Sequence, residues 1–255
     1  MGRKFLIVAN WKSNPVTLKA AVSLTQKVER VVAKYRRVEV VIAPPLPFIP
    51  AVGRILNKSR LGAQNCFFSS GPYTGEVSVE QLKNMGVEYV IVGHSERKMH
   101  LGETDDLINK KVQALLSAGL RPVLCVGEKE RSGEEIPRVI AEQLKNALAS
   151  VKKSSLKSLT VAYEPVWAIS TMPGAYPDAA DNVFRTMIYI RKVVSEFWGR
   201  EAAHALRIIY GGSVKSANII YFLKEGKMDG ALVGGASLDS SEFTKIISET
   251  NGLIP

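Results

Sequence analysis

Short apolar runs alternate along the chain with longer amphipathic stretches. The runs cover residues 5–9, 38–43, 61–64, 89–92, 122–126, 159–163, 206–210 and 230–233. Between them, apolar positions recur at helical spacing over 17–34, 48–57, 78–85, 103–118, 135–150, 177–197, 216–225 and 240–249. Gly119 and Gly226 follow two of these stretches as helix stops. Runs that are apolar on both faces imply parallel strands covered by helices. Eight strand–helix units in 255 residues predict an α/β protein, a closed (β/α)8 barrel spanning residues 1–255 as one domain. An open doubly wound sheet is the alternative this pattern leaves.

In a barrel, chemistry belongs where strands end and the following loops begin. The predicted strand ends carry Asn10-Trp11-Lys12, Gly93-His94-Ser95-Glu96-Arg97, Glu164, Tyr210-Gly211-Gly212-Ser213 and Gly234-Gly235. Glu164 closes the run Leu159-Thr160-Val161-Ala162-Tyr163, and Pro165 stops the strand directly after it. A carboxylate at the mouth of an apolar core, beside Trp167, loses hydration and becomes a better proton acceptor near neutral pH. Pairing with a nearby Lys or Arg is its structural alternative. Taken singly, Lys12 reads as a surface lysine, His94 as a hydrogen-bonded structural histidine, and each glycine pair as a tight turn. Taken together they put a base, an imidazole, a cation and two glycine turns on one rim. Glycine turns on adjacent strands expose backbone N–H groups and make a phosphate cradle, to which Lys12 adds positive charge. Glu96 and Arg97 read as a local ion-pair scaffold. His100 and His204 have no such context.

Several classes are excluded. The chain has no Gly-x-x-x-x-Gly-Lys-Ser/Thr segment and no Gly-x-Gly-x-x-Gly after its first strand, so nucleotide and dinucleotide folds are not expected. No apolar run approaches the roughly 18 residues of a membrane span. The N-terminal run reads as a first strand rather than a secretory signal. The two cysteines, Cys66 and Cys125, have no CxxC spacing; neither a disulfide framework nor a zinc site is expected, and a cytoplasmic setting fits. An apolar share of 46% supports a large core. The net charge of +10 calls for an anionic partner: a phosphorylated metabolite, nucleic acid or a membrane surface. The basic residues are spread out, without interleaved aromatics, so nucleic acid is not expected and a solvated basic surface is.

Eight strings, in order along the chain, resemble those of triosephosphate isomerases. They are Ala9-Asn10-Trp11-Lys12, Gly62-Ala63-Gln64-Asn65, Tyr73-Thr74-Gly75-Glu76-Val77-Ser78, Val92-Gly93-His94-Ser95-Glu96-Arg97, Cys125-Val126-Gly127-Glu128, Ala162-Tyr163-Glu164-Pro165-Val166-Trp167-Ala168-Ile169, Tyr210-Gly211-Gly212-Ser213-Val214 and Ala231-Leu232-Val233-Gly234-Gly235-Ala236-Ser237-Leu238. The resemblance implies interconversion of dihydroxyacetone phosphate and glyceraldehyde 3-phosphate, a step of glycolysis and gluconeogenesis, without cofactor or metal. It implies Glu164 as the base and His94 as a neutral electrophile; these two roles are the family's, not read from spacing. It implies that Asn10 and Lys12 hold the substrate, and that N–H groups of Ser170, Ser213, Gly234 and Gly235 bind the phosphate. Glu96 would order Lys12 and His94, and Cys125 would pack beneath Glu164.

The same resemblance implies a lid over Pro165, Val166, Trp167, Ala168, Ile169, Ser170, Thr171, Met172, Pro173, Gly174 and Ala175. Here the chain departs from the family: Ser170 and Met172 stand where the family has glycines, and Pro173 where it has a hinge lysine. Tyr210 and Ser213 would hold the closed lid through backbone N–H groups of Ala175 and Met172. Residues 64–78 form a long loop carrying Phe67, Phe68, Pro72 and Tyr73, too apolar to lie open in water. In the family this loop enters a second subunit, so a homodimer is implied, with Thr74 approaching the other copy's site. Two alternatives remain: another phosphosugar barrel enzyme (an aldolase or epimerase), or a non-catalytic basic binding protein. A Schiff-base aldolase needs a buried lysine on a central strand, and Lys12 lies just past its strand.

Overall fold

The computed structural model describes residues 3–131, 133, 135–169, 175–176 and 178–253. The apolar runs form eight strands: β1 (Phe5–Asn10), β2 (Val38–Ala43), β3 (Arg60–Ala63), β4 (Tyr89–Val92), β5 (Arg121–Val126), β6 (Thr160–Tyr163), β7 (Arg207–Tyr210) and β8 (Gly230–Val233). All pair in parallel in chain order, and β8 returns to β1 with Leu6 opposite Gly230 and Val8 opposite Leu232. The barrel is closed, which removes the open-sheet alternative.

The continuous apolar runs have a direct cause. Successive side chains point to opposite faces of a strand, and both faces are covered here. Leu6, Val8, Val41, Ala43, Ile91, Val123, Cys125, Ala162, Ile209 and Leu232 fill the barrel interior. Their neighbours Ile7, Ala9, Val40, Ile42, Val90 and Val92 join a second cluster with the surrounding helices. Burying each large aliphatic side chain contributes roughly 1.5–3 kcal/mol, opposed by the entropy of ordering the chain.

The helices are α1 (Leu18–Val32), α2 (Ile49–Gly53), α3 (Val79–Asn84), α4 (Ser95–Leu101), α5 (Asp105–Ser117), α6 (Val139–Ala147), α7 (Ala180–Trp198), α8 (Arg200–Ala205), α9 (Ile219–Lys224) and α10 (Ser240–Gly252). Thr17 caps α1 through its hydroxyl, and Ser78 with Gln81 forms a capping box on α3. Several helices are shorter than their periodicity suggests. The stretch 48–57 yields only α2, preceded by a 3₁₀ turn at Leu46–Phe48. The stretch 135–150 yields α6 from Val139, because Pro137 and its predecessor resist helical pairing. The short helix α8 was not expected; Gly199, at φ 93°, separates it from α7. No helix among the described residues is long and apolar enough to cross a membrane.

Candidate active site

The C-terminal mouth of the barrel gathers the residues marked at the strand ends. Asn10 closes β1 and is 5% exposed. Trp11 is buried, and its N–H donates to the Ala43 carbonyl at 3.2 Å, extending the β1–β2 pairing past the strand. Lys12 then takes a left-handed backbone, φ 51°. Such a conformation costs a non-glycine residue roughly 1–2 kcal/mol. Two side chains hold it there: the Lys12 N–H donates to Asn10 Oδ1 at 3.1 Å, and Gln64 Nε2 donates to the Lys12 carbonyl at 2.8 Å. The lysine side chain crosses to Glu96, with Nζ 2.5 Å from Oε1.

Gly93, at φ 68°, turns the chain sharply from β4 into α4. His94 is the N-cap of α4, and its Nδ1 accepts the Glu96 N–H at 3.3 Å. A ring nitrogen that accepts a hydrogen bond carries no proton, so the imidazole proton sits on Nε2. That nitrogen lies 3.1 Å from Glu164 Oε1. Glu164 is 2% exposed, and its N–H donates to the Val126 carbonyl at 2.8 Å, one residue beyond β6. Its Oε2 accepts the Ser95 N–H at 3.1 Å. Its Oε1 is buried without an aligned hydrogen bond, so the approach to His94 is a close contact. The first N–H groups of one short helix thus orient both the carboxylate and the imidazole.

Space for Glu164 comes from two glycines. A Cβ on Gly127 would lie 1.8 Å from the Glu164 carbonyl, and one on Gly211 would lie 2.8 Å from Glu164 Cγ. Cys125 sits on the interior face of β5, opposite Ala162. Burial first, and then the nearby Glu164 charge, push its thiol up.

A cavity of about 70 Å³ lies between these groups and the β7 and β8 ends; Lys12, His94, Glu164, Ser213, Gly234 and Gly235 line it. Gly234 and Gly235 lead the 3₁₀ turn Gly235–Leu238, whose first N–H groups have no partner within the turn. Ser213 is occupied differently: its N–H, at 3.0 Å, and its hydroxyl, at 2.7 Å, both donate to the Ala168 carbonyl. A second cavity of about 520 Å³ shares Asn10, Lys12 and His94 and extends outward past Cys66, Glu76 and Leu101.

Of the segment expected to be the lid, Ser170, Thr171, Met172, Pro173 and Gly174 lie outside the described residues. Pro165, Val166, Trp167, Ala168 and Ile169 are described, with a 3₁₀ turn at Val166–Ala168. Ala175 is exposed, and Tyr176 stacks on Trp167 with ring centroids 4.8 Å apart. Tyr210 is buried against Phe222, centroids 4.0 Å apart, and its hydroxyl approaches Gly212.

Glu96 pairs with Lys12 and approaches His94 Nδ1 at 3.8 Å, whereas Arg97 pairs with Glu103 at 3.3 Å. Thr74 is exposed and does not line either cavity of its own chain. Sequence reasoning missed the groups beneath the expected lid. Buried Glu128 accepts from Tyr163 at 2.9 Å and pairs with Arg131 at 2.8 Å, and its carbonyl accepts the Val166 N–H at 3.0 Å. Asp178, beside them, is pushed up to about 6, chiefly by burial. Glu128 sits at a strand end, a signal that was available; Arg131 and Asp178 come from separate loops and carried none.

What the barrel and its mouth define together is an enzyme of the (β/α)8 class, with its chemistry on the loops after the strands. The family profile described as triosephosphate isomerase matches residues 5–250. A protein of Caldanaerobacter subterraneus subsp. tengcongensis named triosephosphate isomerase is 42% identical over 251 residues, 96% of this chain and 99% of that one. Namesakes from a Thermoanaerobacter species and from Endomicrobium trichonymphae are each 41% identical, over 96% of this chain and 99% and 98% of their own lengths. The chain belongs to the triosephosphate isomerase family.

Proposed function

We propose that the chain interconverts dihydroxyacetone phosphate and glyceraldehyde 3-phosphate, with Glu164 as the base. One observation carries this reading: a carboxylate 2% exposed has an unpartnered Oε1 3.1 Å from the Nε2 of His94. Glu164 leaves the Ser95 N–H and takes a proton from the carbon beside the substrate carbonyl. The electron pair moves onto the carbonyl oxygen, giving an enediolate. His94 Nε2–H donates to that oxygen, and the Lys12 ammonium lowers its charge. The proton of the neighbouring hydroxyl moves by way of His94 to the former carbonyl oxygen, and Glu164 returns the carbon-bound proton to the neighbouring carbon, so that the carbonyl ends one carbon along. Neither cofactor nor metal is needed for this exchange.

Asn10 has a double duty. Its Oδ1 holds the Lys12 N–H, which leaves its amide N–H groups to the substrate. The phosphate sits on N–H groups of Gly234, Gly235, Ser213 and Ser170, facing Lys12. Ser213 must first exchange the Ala168 carbonyl for phosphate, so phosphate binding releases the lid stem. Closure shields the enediolate from water, a gating role for which this family's lid is a standard example.

The active form is a homodimer. Phe67, Phe68 and Tyr73 cluster on the 64–78 loop, and Tyr73, Leu46 and Leu101 stay exposed in the isolated chain. The 520 Å³ cavity is larger than a triose phosphate requires and opens where a second copy's loop and its Thr74 would enter. The enzyme works in the cytoplasm on this reading, with no nucleic acid or membrane partner. The test is turnover of glyceraldehyde 3-phosphate by the purified protein, read through an NADH-coupled dehydrogenase. Saturable turnover is expected; a rate no higher than the uncatalysed one overturns the proposal.

A further inference from the structure

The opposite end of the barrel carries charge that the reaction does not use. A cavity of 280 Å³ there is lined by Arg3, Tyr89, Arg121, Lys157, Thr160 and Arg207 among others. Tyr89, Arg121, Thr160 and Arg207 are the first residues of β4 to β7, so the cavity is the floor of the barrel. One carboxylate serves this floor. Glu39 accepts from Tyr89 at 2.8 Å, from Arg121 at 3.4 Å and from Arg207 at 2.9 Å. The nearby Glu88 and Asp229 already have cations of their own, Arg60 at 3.2 Å and Arg191 at 3.1 Å. Among the described residues, Arg3 donates only to the carbonyls of Ala205 and Leu206. Lys157 is exposed and makes no hydrogen bond or ion pair among the described residues. Four cations therefore line the cavity against one contacting carboxylate.

Two further details show that the cations are only partly compensated. Arg207 Nε, unlike the Nη1 that reaches Glu39, is buried with no hydrogen-bond partner among the described residues. Burial, and next the charge of Arg207, push the Arg3 guanidinium down. Positive groups scattered on a convex surface are screened by solvent, whereas these converge on a concavity where screening is weaker.

We propose that the barrel floor binds a small, multiply charged phosphate compound, at a site separate from the isomerase mouth. Planar guanidinium forks match phosphate oxygens in pairs, and the lysine adds a mobile point charge. The volume lies near the lower limit of about 300 Å³ for ligand cavities, which suits a diphosphate-sized group and not a polymer. This site would account for part of the net charge of +10. It does not depend on the isomerase reading.

The probe is inorganic pyrophosphate, titrated calorimetrically into the whole protein at about 50 mM salt, where surface charge is only partly screened. Lys12→Met weakens the catalytic rim and is expected to leave floor binding intact. Lys157→Glu, at an exposed position that cannot disturb the core, is expected to weaken it about tenfold or more, and Arg121→Gln similarly. Lys27→Glu, exposed on α1, changes net charge by the same amount as Lys157→Glu and is expected to shift affinity less than about threefold. Loss of all binding in Lys12→Met would assign pyrophosphate to the catalytic rim alone and overturn the proposal. Equal weakening by Lys27→Glu and Lys157→Glu would reduce it to diffuse charge, and absence of binding at millimolar pyrophosphate would also overturn it.

Discussion

Gly211→Ala tests how tightly the barrel positions the base. The new Cβ would lie 2.8 Å from Glu164 Cγ and 3.2 Å from the Tyr163 carbonyl oxygen. Carbon atoms rest about 3.5–4.0 Å apart, so one partner must yield by about 1 Å. The Tyr163 carbonyl is fixed main chain, bonded to the Gly211 N–H at 2.7 Å. Glu164 is the softer partner, and it would be pushed off the Ser95 N–H toward the small cavity that it lines. A misplacement of about 1 Å costs on the order of 100-fold in rate, or about 2.7 kcal/mol of barrier. Steady-state turnover by the coupled assay is expected to show kcat down about 100-fold. Inhibition by inorganic phosphate, which reports the cradle alone, is expected to change less than about threefold. A folded Gly211→Ala protein with kcat within about threefold of wild type would refute the reasoning; Glu164 would then not be held by this contact.

Asp178 is raised to about 6 chiefly by burial, against hydrogen bonds from Asn182 and the Ala179 N–H that act the other way. Its unfolded value is lower, so the favourable protonated form contributes stability below about pH 4 that is lost as pH rises through about 6. Asp178→Asn keeps an acceptor for the Ala179 N–H at 2.8 Å. It should gain on the order of 2–3 kcal/mol over wild type between pH 4 and 7 in urea midpoints; a pH-independent difference would refute this. Tyr210→Phe keeps the stack on Phe222 but removes the hydroxyl that would latch the lid at Ala175. It is expected to weaken a phosphate-bearing enediolate analogue more than inorganic phosphate, and equal weakening would show that Tyr210 is no latch. Sedimentation at low micromolar concentration is expected to give a dimer; an active species of 27.9 kDa would contradict the shared rim.

The barrel was legible because a parallel strand buried on both faces must be apolar throughout. Leu6 and Val8 face the interior and Ile7 and Ala9 face the helices, so the run at 5–9 could not alternate. Strand-end placement then marked Asn10, Lys12, His94 and Glu164 before any geometry was known. Backbone contacts left no such mark. Ser95 anchors Glu164 through its N–H, which any residue at that position would supply. The same holds for the Ala168 carbonyl that now occupies Ser213. Arg97 pairs with Glu103, six residues along and just before α5, a contact that depends on how the turn after α4 brings the chain back. Helix α8 has six residues, too few for a hydrophobic period to declare itself. Tyr163 reads as one more apolar residue of β6, and only the fold reveals its hydroxyl on Glu128.

The central claim is that Glu164 moves the substrate proton. Glu164→Asp retracts the carboxylate by one methylene, roughly 1 Å, while keeping its charge and burial. The measurement is kcat and KM for glyceraldehyde 3-phosphate in wild type and Glu164→Asp, side by side. The expected result is robust wild-type turnover and a variant with kcat lower by on the order of 100-fold and KM little changed. A variant with near-wild-type kcat would remove Glu164 as the base and contradict the account.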